Sequence, residues 1–79
     1  MTEQTLEKYR FFKIKSDKNS SYFIHKSLHK KWMIQLQSNK MRLCFNFNGG
    51  TYFPSMHRFD TLKELTCLVY ILTGQKLEL

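Results

Sequence analysis

The recurrence of a large apolar residue at every second position in the middle of the chain constrains the fold most. In residues 31–37 every second side chain is large and apolar, and residues 41–47 repeat the pattern. A period of two sends successive side chains to opposite sides of a β-strand, so each segment predicts a strand with one buried and one solvated face. The side chains expected to point into the core are Trp32, Ile34, Leu36, Leu43, Phe45 and Phe47.

Turn-forming residues separate these strands from their neighbours. The sequence NGG at residues 48–50 tolerates the positive φ angles of a tight hairpin. It predicts that residues 51–53 return as a strand, which Pro54 ends. Residues 9–15 and 22–27 are two further candidate strands, with polar turn residues between them. Because the connections are short, the simplest topology is an antiparallel meander of four to five strands.

The C-terminal quarter changes to a helical period. Thr61 and Glu64 have the spacing of a capping box, in which the two residues satisfy free amides of the first helical turn. Apolar residues then recur at helical spacing, and Gly74 follows where a left-handed residue ends many helices. The pattern predicts a helix over residues 61–73 that lies across the sheet. The expected fold class is α+β, a single small domain of 79 residues in which the meander packs against this helix.

The predicted helix carries more apolar surface than contact with one sheet requires. Cys67, Tyr70 and Ile71 are apolar in addition to the residues that face the sheet. A helix that is apolar around most of its circumference usually has a second neighbour. That neighbour is the segment around Leu6, the loop over residues 53–59, a second copy of the chain in a homodimer, or a different protein. Cys67, Tyr70 and Ile71 are therefore the predicted interface residues.

Positive charge is concentrated in the first half of the chain. The sequence holds 13 Lys and Arg against 6 Asp and Glu, a net charge of +7. Residues 8–42 alone contain ten of the basic residues and one acidic residue, and they coincide with most of the predicted strands. Such clustering produces a one-sided field that attracts nucleic acid or an acidic protein surface.

The strand parity predicts where this charge gathers. The solvated side of the sheet is expected to combine cations, carboxamides and a ring, with no acidic residue among them. Cations neutralise phosphates, carboxamides hydrogen-bond to base edges, and rings stack on unpaired bases. Phe11 joins this side on the expectation that Phe12 and Ile14 point into the core. The predicted nucleic-acid-binding residues are Lys13, Lys15, Lys31, Gln35, Gln37, Arg42, Asn46 and Phe11.

The sequence does not indicate a catalytic, metal or cofactor site. His25, His29 and His57 lack a nucleophile and an orienting carboxylate at a workable spacing, so we expect no enzymatic activity. His25 and His29 stand four residues apart, a spacing that aligns two ligands only on a helix. No glycine-rich phosphate-binding motif is present, and we expect neither a metal nor a cofactor.

Cysteine usage and the lack of a long apolar run indicate the compartment. Cys44 and Cys67 lie 23 residues apart without a CxxC pair, which favours free thiols in a reducing environment. The N-terminus lacks the apolar run of a signal peptide. The longest apolar run, residues 67–72, is far shorter than the roughly 20 residues that span a bilayer. We expect a cytoplasmic protein with no membrane partner.

Two segments resemble parts of a known architecture. Residues 31–36 (KWMIQL) and 59–65 (FDTLKEL) are similar to the strand and the strand-to-helix junction of three-stranded sheet-plus-helix DNA-binding domains. The plant AP2 domain and the arm-binding domains of phage integrases are examples. The resemblance implies a sheet that lies in the major groove of DNA. About 22 residues separate the two segments, where those families have a single hairpin, so the resemblance bears on architecture more than on activity.

Two functions are compatible with these features. The first is a small nucleic-acid-binding accessory protein, encoded by a phage or mobile element, that contacts phosphates of DNA or RNA through the outer side of its sheet. The second is a non-enzymatic inhibitor or adaptor, such as an anti-defence protein, that docks on an acidic partner surface. The surplus apolar surface of the predicted helix is the basis of the second function.

Overall fold

Five strands form one antiparallel sheet, with two helices beside it. The computed structural model describes residues 1–29, 31–54 and 57–79. The elements in chain order are α1 (Glu3–Lys8), β1 (Phe12–Ser16), β2 (Ser21–Ile24), β3 (Trp32–Gln37), β4 (Lys40–Phe47), β5 (Gly50–Tyr52) and α2 (Leu62–Thr73). The spatial order of the strands is the same as their order along the chain. The α+β meander with a C-terminal helix is therefore confirmed.

Two-residue turns join β3 to β4 and β4 to β5. All four turn residues, at positions 38–39 and 48–49, have positive φ angles between 50° and 77°. Positive φ at both central positions is the type I′ geometry, whose twist matches that of the flanking strands. The tight hairpin predicted from the NGG sequence is confirmed. The sheet has five strands, so the three-stranded architecture implied by the resemblance to AP2-like domains is not the fold of this chain.

The hydrophobic core lies on one side of the sheet, which we call the inner face. Ile34 and Leu43 oppose each other on this face, and both are fully buried. Leu65 and Val69 of α2 pack onto them, as the helical period predicts. The buried cluster as a whole comprises Leu6, Phe11, Phe23, Leu28, Ile34, Leu36, Met41, Leu43, Phe59, Leu65, Val69 and Leu77.

The ends of α2 match the sequence signals for them. Thr61 Oγ1 accepts a hydrogen bond from the Glu64 amide and donates one to Glu64 Oε1. Gly74 ends the helix in the left-handed region, with a φ of 73°, and its amide donates to the Tyr70 carbonyl. The helix predicted over residues 61–73 is confirmed. In the described residues, no helix combines the length and the hydropathy that crossing a bilayer requires.

The N-terminal segment differs from the prediction. Residues 3–8 form α1, which Thr2 caps by accepting a hydrogen bond from the Thr5 amide. The strand predicted over residues 9–15 therefore begins only at Phe12. Six residues are a short helix with little intrinsic stability. Burial of Leu6 in the core is what holds α1 in place.

The end of α1 reverses the predicted parity of β1. Arg10 follows the helix with a φ of 71°, and this left-handed residue turns Phe11 inward. Phe11 is 2% exposed and its ring lies 4.7 Å from that of His25. Phe12 and Ile14 are 62% and 46% exposed. The expectation that these two residues point into the core, with Phe11 outside, is therefore wrong.

Candidate nucleic-acid interface

The outer face is the side of the sheet opposite the core. Strand register aligns Tyr22, Gln35 and Arg42 in one row across β2, β3 and β4. Lys15 of β1 pairs with Tyr22 and extends the row to the sheet edge. This row is the part of the predicted interface that the fold does bring together.

The centre of the outer face is packed instead of solvated. Met33 and Cys44 oppose each other there and are 2% and 0% exposed. Burial raises the pKa of the Cys44 thiol to about 12, which keeps it protonated and unreactive. The alternation predicts a fully solvated face, and this expectation is wrong at the centre. The sheet has a small second core under its polar side chains.

Gln35 belongs to this packed centre. It is 8% exposed, and its side-chain amide donates to Ser20 Oγ at 3.3 Å and Tyr22 Oη at 3.4 Å. A buried amide has to be hydrogen-bonded, and Gln35 meets that requirement within the protein. Gln35 is therefore largely buried, and its amide N–H groups are used within the protein, which leaves it little capacity for the predicted contact with base edges.

Two cations of the outer face lie over aromatic rings. Lys15 Nζ is 4.8 Å from the centroid of the Tyr22 ring, and the Arg42 guanidinium carbon is 4.5 Å from that of Phe53. Cation–π contacts of this kind orient a positive charge and leave its N–H groups available. Arg42 Nε is buried and has no hydrogen-bond partner in the described part of the chain.

A third cation, Arg58, lies on this face and is not among the predicted binding residues. Phe59 forms an isolated antiparallel bridge with Met41, which places the residue before it beside β4. The Arg58 guanidinium donates to Gln37 Oε1 at 3.4 Å. No local pattern in the sequence marks a single bridge just before a capping box, so the position of Arg58 on this face could not be predicted.

Four other residues predicted to bind nucleic acid lie in three different places, none of them in this row. Lys13 pairs with Phe23 and so lies on the inner side, where its ammonium is 3.0 Å from Glu3 Oε1. Its predicted place on the outer face is wrong. Lys31 and Asn46 are exposed at the end of the β3–β4 pair, joined by a 2.8 Å backbone hydrogen bond. Phe11 is in the core, as described above.

Because the parity of β1 is the reverse of the predicted one, Phe12 lies on the outer face in place of Phe11. It pairs with Ile24 at the edge of the sheet, on the same side as Lys15 and Tyr22. Its ring is 62% exposed. The outer face therefore has one exposed ring, as predicted, but the ring belongs to Phe12 and not to Phe11.

Acidic residues are absent from the strands. The six Asp and Glu residues all lie outside the described strand segments, in helices, turns and the C-terminal tail. The ion pairs in the described residues are Lys13–Glu3, Lys40–Asp60 and, when the histidine is protonated, His57–Glu64. In that part of the chain Lys15, Arg42 and Arg58 therefore have no carboxylate within ion-pair distance.

The positive charge of residues 8–42 does not converge on one face. Lys8, Arg10 and Lys26 line a depression at another end of the molecule, together with Glu78 and Leu79. Lys18 lies in the β1–β2 turn, and Lys30 lies outside the described residues. The sequence predicts that these charges share one solvated surface, and this is correct only for a subset.

The predicted interface residues of α2 are on the surface. Tyr70 and Ile71 are 60% and 75% exposed, and Cys67 is a free, exposed thiol. Leu6, one of the proposed covers for this side of the helix, packs in the core instead. Residues 55–56 of the other proposed cover, the loop over residues 53–59, lie outside the described residues.

Metal-ligating residues are not grouped in the described part of the chain. Residues 1–29, 31–54 and 57–79 contain no group of three or more His, Cys, Asp or Glu residues that could hold an ion. His25 is buried and both of its ring nitrogens form hydrogen bonds, whereas His29 lies on the surface.

Comparison with protein-family models, with curated proteins and with solved structures finds no significant match to this chain.

Proposed function

We propose that this protein binds nucleic acid through the outer face of its sheet and acts as an accessory protein without catalytic activity. The observation that carries the proposal is the set of three outer-face cations, of which Lys15 and Arg42 lie on strands without acidic residues and Arg58 lies beside β4. Because no carboxylate of the described residues competes for them, their charge is available to phosphates. Phosphate neutralisation with release of counterions is the main source of affinity in such complexes.

Arg42 is the best-positioned of these cations. Its guanidinium is held against the Phe53 ring, so little side-chain entropy is lost when it binds a phosphate. Arginine also presents several N–H groups in a plane that matches phosphate oxygens. Arg42 therefore forms the centre of the proposed contact, with Lys15 and Arg58 on either side.

Polar and aromatic groups complete the surface. Phe12 offers an exposed ring at the β1 edge, and Asn46 offers an exposed carboxamide at the far end of β4. Gln37 is half-buried and already accepts a hydrogen bond from Arg58. It supports the position of Arg58 more directly than it can read a base.

Charge reversal on the two sides of the molecule tests this function. The Lys15→Glu/Arg58→Glu double variant is compared with Lys63→Glu/Lys76→Glu, which makes the same change in net charge on α2 and the C-terminal tail. Affinity for fluorescein-labelled duplex and single-stranded oligonucleotides is measured by anisotropy between 50 and 200 mM salt. Three phosphate contacts, one for each outer-face cation, predict a log–log salt slope of about −2.7 on duplex DNA.

The outer-face double variant should bind at least tenfold more weakly, and its salt slope should be about 2 units less negative. The control variant should lose only the small, nonspecific contribution of net charge. Equal losses in the two variants would show that the outer face has no special role. Lack of binding by the wild-type protein at 50 mM salt would rule out the function.

Exposed apolar residues on α2 favour protein docking as the second candidate function. Ile71 is 75% exposed and lies beside Tyr70 and Leu72, which are 60% and 41% exposed. An Ile71→Glu variant should leave oligonucleotide binding unchanged if the first proposal is correct. Under the second proposal it should abolish capture of a single protein from nuclease-treated lysate, and sedimentation would identify the homodimer case.

A further inference from the structure

A row of aromatic side chains crosses the sheet on its inner face, beyond the part that α2 covers. Trp32 pairs with Phe45, and Phe45 pairs with Tyr52, so three neighbouring strands each contribute a ring. Phe47 lies two residues beyond Phe45 on the same side of β4. We call these four residues, Trp32, Phe45, Phe47 and Tyr52, the aromatic strip.

The rings of the aromatic strip are close to one another. The Trp32 and Phe45 centroids are 5.0 Å apart, and the Phe45 and Phe47 rings are 6.2 Å apart and nearly parallel, with 17° between their planes. Such pairs stabilise each other beyond the apolar area that they bury. The strip is therefore an ordered surface in the free protein.

Gly50 helps to hold one of these rings in place. A Cβ atom on Gly50 would lie 3.2 Å from Tyr52 Oη and 3.3 Å from two ring carbons. The Tyr52 ring thus lies over the glycine, which itself pairs with Phe47. The missing side chain leaves room for Tyr52 to lie along the strand, beside Phe47.

The strip is exposed to solvent at the end formed by Phe47 and Tyr52. Trp32 packs partly against the core, whereas Phe47 and Tyr52 are 48% and 56% exposed. An exposed, contiguous apolar patch on a small protein commonly marks a binding surface. No acidic residue lies in the strands that build it, and Lys31 precedes Trp32 in the chain.

The strip and the outer face meet at the β5 edge. Phe53, which follows β5, lies beneath the Arg42 guanidinium. It also lines one shallow depression together with Trp32, Phe45, Tyr52 and Pro54. A flexible chain that passes around this short edge can therefore contact the cations of one face and the rings of the other.

We infer that the aromatic strip stacks the bases of an unpaired nucleic-acid strand, so that single strands are the preferred ligand. This inference rests on the proposed function, since it assigns the polymer class to a protein already argued to bind phosphates. Rings stack on any base, because every base has a π-face. A duplex keeps its bases stacked internally and cannot use the strip.

The only tryptophan of the chain, Trp32, reports on this contact directly. Oligothymidylate of 20 nucleotides should quench its fluorescence, whereas a 20-base-pair duplex should not. The Phe47→Leu/Tyr52→Leu variant should bind the single strand about 5- to 100-fold more weakly, with little change in duplex binding. Tyr70→Leu is the matched control, since Tyr70 is an equally exposed tyrosine on α2 and should have no effect.

Each alternative outcome has a distinct signature. Equal affinity for duplex and single strand without quenching of Trp32 would overturn the inference and leave the proposed function standing. Absence of binding to either oligonucleotide would overturn both. Quenching by a proline-rich peptide but not by oligothymidylate would assign the strip to a protein ligand. Because quenching is measured on the wild type, a folding defect in the variant does not affect the decision.

Discussion

At the residue scale, His25 is the polar side chain with the most connections in the interior. It is 3% exposed, and its Nε2 lies 3.2 Å from the Tyr9 carbonyl, to which it donates. Its Nδ1 accepts from the amide and the hydroxyl of Ser27, whose Oγ in turn accepts from the Glu78 amide. Since an amide can only donate, Nδ1 carries no proton. One neutral imidazole thus joins the end of α1, the β2–β3 loop and the C-terminal tail.

This arrangement predicts that stability falls in mild acid. Burial lowers the pKa of His25 below its ordinary value of 6.5, and the positive charges of Lys26 and Arg10 lower it further, against the opposing effect of its bond to the Tyr9 carbonyl. Near and below pH 6.5 the unfolded chain therefore binds more protons at this site than the folded protein does. The unfolding free energy should decrease as the pH falls from 7.5 to 5.

Urea denaturation at several pH values measures this effect. His25→Gln removes the titrating group, so its unfolding free energy should be lower at pH 7.5 but should depend less on pH. His29→Gln changes an exposed histidine and should keep the wild-type dependence. An unchanged slope in the His25 variant would show that another group is responsible.

At the element scale, the elements whose signals are local in sequence are the ones that could be predicted. The hairpin turn at NGG, the central strands and α2 follow from residues that are neighbours in the chain. The parity of β1 could not be predicted, because it depends on the left-handed conformation of Arg10, a residue type with no preference for that region. The burial of Gln35 and the position of Arg58 could not be predicted from the local sequence either, since both depend on segments distant in the chain. This is why only part of the predicted interface is found on one face.

The capping box of α2 allows a test at this scale. Thr61→Ala removes the acceptor of the Glu64 amide and should destabilise the protein by about 1 kcal/mol. For a domain of this size, that corresponds to a melting temperature lower by about 4–8 °C. Thr61→Ser keeps the hydroxyl and should melt close to the wild type. Equal losses in the two variants would assign the effect to the methyl group instead of the cap.

At the scale of the whole molecule, the core depends on the two ends of the chain. Leu6 and Leu77 are both buried in the same cluster, at 0% and 3% exposure. The tail is anchored further by Gln75 Oε1, which accepts from the His29 amide. A sheet of five short strands with its core on one side needs this cover, because a chain of this size buries a smaller fraction of its surface than a larger domain does.

Leu77 should therefore matter far more than its place near the end of the sequence indicates. Leu77→Ala should lower the unfolding free energy by about 2–5 kcal/mol, as expected for a buried leucine. Leu79→Ala changes a leucine that is 50% exposed and should cost little. Chemical denaturation of the two variants makes the comparison, and similar values for both would contradict the packing of the tail.

The succession of hairpins in the meander also has a kinetic consequence. Each strand pairs with the one that precedes it, so closing each hairpin requires a loop of two to seven residues. The entropy lost in closing a loop grows with loop length, and chains with short sequence separation between contacts fold fastest. The strands can therefore pair in succession along the chain. Only the docking of the two termini into the core requires contacts between residues separated by nearly the full length of the polypeptide.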